Sequence, residues 1–307
     1  MKFLADTKIP EHPYPELRKV LNTFVDEIAA KLRENLVGIY LIGSIASGDF
    51  DLDSDVDFLV VTNTELTEAN MKSLQDIQIK GINLGASPEP DPPQAAAYWT
   101  RKGIKIHDID CYPAKHLEGS YISISDLNNC NIVGEKKLYY FDNGSTTYEE
   151  STHDNLWHVR WILRERGITL VGRKPETILK SIPLNEMLNE IKMTMLQVMK
   201  VFQDEINRPL SFWNSRFGQS FAVLTYCRML HTLHTGTVQS KKAGAKWAKE
   251  FVDPKWVKLI DQAWNEREGV RFGVKIGQRV EAPLLYETLE FIKYAIVQID
   301  NVEVGAS

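Results

Sequence analysis

The chain has 307 residues, with 36 Lys and Arg against 41 Asp and Glu, so its formal charge is −5 with His counted neutral. A composition of 43% apolar and 25% charged residues is that of a folded globular protein and excludes a disordered one. The slight acidity argues against a dedicated nucleic-acid binder, because neutralising phosphates needs a basic surface. The length predicts one or two domains, each with its own core.

Cysteine usage and the apolar segments bear on the compartment. Three widely spaced cysteines, Cys111, Cys130 and Cys227, form neither a disulfide framework nor a zinc-ligand pattern. The residues up to Glu11 lack the apolar stretch of a signal peptide, and the longest apolar run, residues 36–42, is too short to span a bilayer. We therefore expect a cytoplasmic protein that has no membrane partner.

The first part of the chain predicts one helix and two strands. Apolar residues recur at helical spacing over residues 15–35 and predict an amphipathic helix. Two short runs rich in β-branched residues, 37–42 and 56–61, predict strands. The segment between these runs is too short for a full crossover helix, so we expect the two strands to be neighbours in one sheet.

The next stretch predicts a second helix over residues 66–79 and a third strand over residues 104–112. Asp108 and Asp110 lie two residues apart in that strand, so both carboxylates point to the same face. Residues 113–151 show no clear pattern.

From Asp154 onward the apolar spacing is helical almost throughout. Gly167 and Gly236 are placed to end two of the helices. We expect a domain boundary near Pro183. The predicted fold is therefore an α/β domain over residues 1–182, with a mixed sheet covered by helices, followed by an all-α helical bundle over residues 183–307.

One short segment carries the chemistry. Gly43-Ser44 follows the first predicted strand, and a Gly-Ser turn lets the backbone approach a ligand and cradle phosphate oxygens with its N–H groups. Asp55 and Asp57 open the second strand, point to the same face and can jointly hold a divalent cation. With a third carboxylate from the strand over 104–112, the pattern is typical of a two-metal phosphoryl or nucleotidyl transfer site.

This spacing resembles the signature of the DNA polymerase β-like nucleotidyltransferase superfamily, in which Gly-Ser is followed after ten residues by Asp-x-Asp. Further segments resemble the helical half of the streptomycin/spectinomycin adenylyltransferases. These segments are Leu170-Val171-Gly172, Phe212-Trp213-Asn214-Ser215, Ala222-Val223-Leu224-Thr225, Arg228-Met229-Leu230, Thr235-Gly236-Thr237-Val238 and Ala245-Lys246-Trp247-Ala248. The resemblance covers roughly residues 36–300.

The resemblance implies roles for individual residues. Asp55 and Asp57 match the magnesium ligands of the family. Lys241 matches a lysine that reaches the nucleotide phosphates, where a cation balances the charge of ATP. The positions implied to bind ATP are Gly43, Ser44, Ser54 and Lys241.

The family's catalytic base is a glutamate early in the third strand. Residues 106–111, which we match to that stretch, contain aspartates instead. Asp108 fits the position of the glutamate, whereas Asp110 fits the apolar-Asp-apolar pattern of the wider superfamily. Both remain candidates, and Asp110 is preferred as metal ligand or base.

The acceptor is less well defined. In the antibiotic-modifying relatives, acidic residues follow the Trp-Asn-Ser segment and help to hold a cationic drug between the domains. Here Trp213-Asn214-Ser215 precedes Arg216-Phe217-Gly218-Gln219-Ser220, which contains no carboxylate. Trp213 can still stack on a sugar or ring of the substrate.

The sequence therefore predicts an enzyme that uses Mg²⁺ and transfers AMP from ATP to a hydroxyl of a small molecule. An aminoglycoside is the acceptor that the resemblance implies, and another hydroxylated metabolite is the alternative. The same site could instead adenylylate a protein, or the chain could bind nucleotide without turnover. We expect no nucleic-acid partner, and a monomer or weak homo-oligomer.

Overall fold

The computed structural model describes residues 15–50, 54–84, 117–142, 145–208, 211–267 and 277–301. The chain forms two compact units that divide between Ile182 and Pro183. The strand predicted over 104–112, together with Asp108 and Asp110, lies outside the described residues.

The described residues of the first unit contain a mixed sheet of six strands in the order β5-β4-β3-β2-β1-β6. Only β2 and β3 pair in parallel, and the other neighbouring strands of this sheet are antiparallel. The strands are β1 (Leu36–Leu41), β2 (Val56–Thr62), β3 (Leu117–Ser123), β4 (Leu138–Phe141), β5 (Glu149–Ser151) and β6 (Ile168–Gly172).

The helices of this unit are α1 (Pro15–Leu32), α2 (Gly43–Ser47), α3 (Glu68–Leu84), α4 (Ile124–Leu127), α5 (Trp157–Arg166) and α6 (Pro175–Ile178). The helices predicted over 15–35 and 66–79 are confirmed as α1 and α3. The two strands predicted around Gly43-Ser44 are also confirmed, and they are antiparallel neighbours. Residues 113–151, which showed no pattern, contain β3, β4 and β5.

Apolar layers cover both faces of the sheet. On one face α1 packs on β2, where the Phe24 and Phe58 rings meet edge to face with centroids 4.9 Å apart. On the other face, Tyr40 and Leu59 pack with Leu163 of α5, and all three are buried. Burial on both faces makes the central strands rigid, so side chains at their ends have a fixed position.

The second unit is helical in its described residues. Its helices are α7 (Leu184–Glu205), α8 (Arg216–Thr235), α9 (Lys241–Phe251), α10 (Val257–Arg267) and α11 (Ala282–Val297). Helix α8 is the central one, since it contacts the other four and is buried along most of its length. Gly236 ends α8 in the left-handed conformation, with φ of +67°, as the sequence predicted. Among the described helices, none has the length and apolar character needed to cross a membrane.

Candidate active site

Three carboxylates meet where β2 and β3 begin. Asp55 immediately precedes β2, and Asp57 is the second residue of that strand. Because β3 runs parallel to β2, both strands start at the same edge of the sheet, and Glu118 is the register partner of Asp57. Neighbouring strands are about 4.8 Å apart, so these side chains share one small region.

The electrostatics of Glu118 reflect this crowding. Burial raises the pKa of its carboxyl well above the usual range, and the negative charges of Asp55 and Asp57 raise it further. A nearby His153 and a hydrogen bond from Tyr140 act in the opposite direction. Three mutually repelling carboxylates are expected to attract a cation.

The Gly-Ser segment packs directly against this acidic edge. Gly43 and Ser44 open the short helix α2, which follows β1. The N–H of Ile42 donates to the carbonyl oxygen of Asp57 at 2.9 Å, which ties the end of β1 to β2. Gly43 has φ of +63°, and a Cβ atom there would lie 1.7 Å from Oδ2 of Asp57, so only glycine fits.

The other predicted nucleotide-binding residues have defined surroundings. Ser54 is buried and directly precedes Asp55. Lys241 is the first residue of α9, and its Nζ lies 4.6 Å from the centroid of the Phe221 ring. Trp213 belongs to a 3₁₀ turn in the second unit and packs edge to face on Phe202, with centroids 5.8 Å apart. Trp213 is thus partly buried against the core of the second unit, and its role in stacking on the substrate stays a prediction.

Sequence reasoning missed Glu118. The expected third strand was 104–112, but the strand beside β2, on the side away from β1, is Leu117–Ser123. Glu118 is therefore a third candidate for the family's glutamate, beside Asp108 and Asp110, which lie outside the described residues and whose roles stay predictions. The apolar pair Tyr121-Ile122 indicates a strand, but it does not single out Glu118 as a site residue.

Gly119 explains why this strand was not recognised. Glycine weakens the strand pattern, yet here it is needed for close packing, because a Cβ atom on Gly119 would lie 2.0 Å from the carbonyl oxygen of Phe58. The residue that hides β3 in the sequence is thus the one that lets β3 lie against β2.

Tyr140 connects Glu118 to the next strand. Its hydroxyl donates to Oε1 of Glu118 at 2.6 Å and lies 3.3 Å from Oδ1 of Asp142. The Tyr140 side chain is buried. Burial and the neighbouring carboxylates of Glu118 and Asp142 raise the pKa of this phenol, so it remains a hydrogen-bond donor.

A histidine lies beside this tyrosine. His153 approaches Oδ1 of the buried Asp154 with its Nδ1 at 2.9 Å, and Asp154 also accepts a 2.7 Å hydrogen bond from Ser120. Desolvation opposes protonation of His153, but the hydrogen bond and charge of Asp154, with smaller contributions from Glu118 and Asp57, raise its pKa to about 9. We therefore expect His153, whose side chain is 57% exposed, to be protonated at neutral pH.

The acidic edge suits a magnesium ion that also contacts substrate. Among the described residues, no group of three or more potential ligands is arranged to hold a metal ion by itself. Mg²⁺ is commonly held by one or two carboxylates together with water and substrate phosphates, not by a complete protein cage. Asp55 and Asp57 supply the two hard oxygen donors that such a site needs, and repulsion from Glu118 favours a cation there.

Two domain families match parts of the chain. Residues 21–111 match the family model of the nucleotidyltransferase domain, and residues 177–281 match that of the aminoglycoside adenylyltransferase C-terminal domain. The chain is 28% identical over 281 residues to spectinomycin 9-adenylyltransferase of Staphylococcus aureus, covering 88% of each protein. It is 23% identical to aminoglycoside (3'') (9) adenylyltransferase of Escherichia coli, covering 92% of this chain and 96% of that protein.

A solved structure shows the same fold. Spectinomycin adenyltransferase from Enterococcus faecialis, solved with ATP and spectinomycin, superposes with a TM-score of 0.61 at 17% identity. The match covers 91% of this chain and 99% of the other. The predicted order of an α/β unit followed by a helical unit is therefore confirmed.

Proposed function

We propose that this chain, which belongs to the nucleotidyltransferases with an aminoglycoside adenylyltransferase C-terminal domain, transfers AMP from ATP to a hydroxyl group of an aminoglycoside-type small molecule. The observation that carries this proposal is the grouping of Asp55, Asp57 and Glu118 beside the Gly43 turn. Such a grouping has no evident structural benefit, since it places repelling charges together.

Glu118 is the proposed general base. It lies on the strand beside Asp57, and its burial, the largest cause of its raised pKa, favours proton acceptance. It takes the proton of the acceptor hydroxyl while that oxygen forms a bond to the α-phosphorus of ATP. The bond from the α-phosphorus to the bridging oxygen breaks in the same displacement, and pyrophosphate leaves.

The remaining residues bind and orient the nucleotide. Asp55 and Asp57 would hold Mg²⁺, which when bound neutralises charge on the triphosphate. Gly43 and Ser44 open α2, and the first N–H groups of a helix have no intrahelical partner, so they can donate to phosphate oxygens. Lys241 adds a positive charge for the phosphates.

The acceptor is proposed from the relatives. Those matched here are named for spectinomycin and for aminoglycosides. In this chain residues 216–220 contain no carboxylate, and Arg216 itself pairs with Glu266 at 2.7 Å. We therefore expect weakly cationic acceptors to react faster than strongly cationic ones, with Trp213 stacking on a ring of the acceptor.

The test is pyrophosphate release from ATP and Mg²⁺ across spectinomycin, streptomycin, other aminoglycosides and simple metabolite alcohols. The Asp57→Ala variant serves as control. Release with one acceptor class, absent in the control, supports the proposal. No release with any acceptor, while ATP binding is still measurable, would overturn it in favour of a protein acceptor or a binding role.

A further inference from the structure

Tyr140 holds one oxygen of the proposed base. Its hydroxyl donates to Oε1 of Glu118 at 2.6 Å, a short distance typical of a charge-assisted hydrogen bond. The ladder between β3 and β4 pairs Ser120 with Tyr140, so the tyrosine is anchored by backbone pairing two residues beyond Glu118. A general base is effective when its carboxylate is held in one orientation toward the proton that it accepts.

We propose that Tyr140 is a positioning residue that binds Oε1 of Glu118 and thereby presents Oε2 to the acceptor hydroxyl. This inference rests on the proposed function, because it assigns Tyr140 a role in the step that Glu118 performs. Tyr140 itself does not exchange a proton with the acceptor.

The tyrosine is fixed on its other sides. The His153 ring lies against the Tyr140 ring with centroids 5.0 Å apart and an interplanar angle of 30°. His153 is in turn held by the buried Asp154, which Ser120 of β3 also binds. Strand β3 therefore supplies both the carboxylate that Tyr140 binds and, through Ser120, an anchor for the ring that packs on Tyr140.

This arrangement goes beyond what packing requires. A buried phenol needs a hydrogen-bond acceptor, and Asp142, just after the end of the same strand, already lies 3.3 Å from the Tyr140 hydroxyl. The hydroxyl nevertheless makes its shorter contact with Glu118, a residue of the neighbouring strand. Because it can only donate to these carboxylates, it leaves Oε2 of Glu118 as the oxygen that can accept a further proton.

Tyr139 provides a matched control. It is the preceding residue of β4, so its side chain leaves the opposite face of the strand. Its ring packs edge to face on Tyr148 with centroids 5.4 Å apart, and it is only partly buried. Tyr139→Phe removes the same atom from the same strand as Tyr140→Phe, but it leaves the contact with Glu118 intact.

The experiment compares Tyr140→Phe with Tyr139→Phe in the full chain. Steady-state rates of pyrophosphate release are measured against ATP and against the acceptor found with the wild type, and thermal unfolding is followed for each variant. We expect Tyr140→Phe to lower kcat by roughly 10- to 100-fold, the range for a hydrogen bond to a charged group. Both KM values should change less than about twofold, since the bond acts on the chemical step and not on uniform binding. Tyr139→Phe should keep the wild-type kcat.

Four outcomes overturn the inference. An unchanged kcat in Tyr140→Phe, with an active wild type, refutes the positioning role and leaves the proposed function intact. A raised KM for the acceptor with kcat unchanged assigns Tyr140 to binding instead. Equal losses in both variants indicate general damage to β4. If the wild type itself transfers nothing to any acceptor, the proposed function fails first and the inference fails with it.

Discussion

A Cβ atom on Gly43 would lie 1.7 Å from Oδ2 of Asp57. The turn proposed to bind the triphosphate and the strand proposed to bind the metal therefore touch, with no space for a single extra methyl group. The Gly-Ser and Asp-x-Asp parts of the sequence pattern are separated by ten residues, yet they form one packed unit. This contact explains why the Gly-Ser and Asp-x-Asp parts of the pattern occur together.

Replacing Gly43 by alanine should abolish transfer, because the new methyl group must displace the Asp57 carboxylate. Gly48→Ala is the control, since Gly48 has a similar φ of +77° but nothing within 4 Å of its would-be Cβ. Both variants carry the backbone strain of a left-handed residue, roughly 1–2 kcal/mol. Denaturant unfolding and pyrophosphate release should show a larger loss of stability for Gly43→Ala, with activity retained only in Gly48→Ala. Equal losses of stability and activity in the two variants would contradict the close approach of Gly43 to Asp57.

Magnesium should stabilise the folded protein through the acidic edge. A cation between Asp55 and Asp57 relieves the repulsion that also raises the pKa of Glu118. Mg²⁺ at 100 times its Kd should therefore raise the free energy of unfolding of the wild type by about 2.7 kcal/mol, which is measured as a rise in Tm. Asp57→Asn should lose this rise, and without metal it should be at least as stable as the wild type.

The control for that experiment is Asp26→Asn, which removes an exposed carboxylate of α1. It should retain the full Mg²⁺ effect. An identical Tm response in Asp57→Asn and Asp26→Asn would show that the ion binds elsewhere.

His153 should titrate far above an ordinary histidine. Its folded-state pKa of about 9 exceeds the usual 6.5, so its stabilising contribution is complete below about pH 6.5 and is lost as the pH rises through 9. Asp154→Asn should move the pKa down toward 6.5, because Asp154 provides both the hydrogen bond and the nearest charge. An NMR titration of the imidazole protons, assigned with His153→Gln, measures both values. A titration midpoint near pH 6.5 for His153 in the wild type would contradict this interpretation.

Lys241 should contribute to nucleotide binding and its neighbour should not. Lys241 is partly buried with its Nζ over the Phe221 ring, whereas Lys242 is exposed. Lys241→Gln should raise the KM for ATP by roughly tenfold, the size of one charge-assisted contact. Lys242→Gln should change it less than about twofold. Steady-state kinetics at a fixed acceptor concentration measures the KM for ATP of both variants. Similar increases in both would show that Lys241 contributes only general surface charge.

The sequence was informative where local pattern and structure agree. Strands β1 and β2 are short apolar runs that contain β-branched residues, and Gly43-Ser44 and Asp55-x-Asp57 lie at their ends, so both the strands and the motif could be predicted. Strands β4 and β5 have only four and three residues, too few to show a period.

Glu118 could not be located by pattern alone. What makes it part of the site is its register with Asp57, a contact between residues 61 positions apart, since 118 − 57 = 61. Gly119 next to it weakens the strand signal and is required by the same pairing. We predicted the third carboxylate in residues 104–112 because the aspartates there have strand-like spacing and the expected negative charge.

Glu118 is proposed as the base of an AMP transfer that Asp55 and Asp57 support. The most direct measurement is turnover of ATP and the acceptor by Glu118→Gln, beside Asp108→Asn and Asp110→Asn, with the AMP adduct detected by mass spectrometry. We predict a loss of at least about 100-fold in kcat for Glu118→Gln with ATP binding retained, and a smaller loss for either aspartate variant. Wild-type turnover by Glu118→Gln, together with loss in Asp108→Asn or Asp110→Asn, would contradict the account.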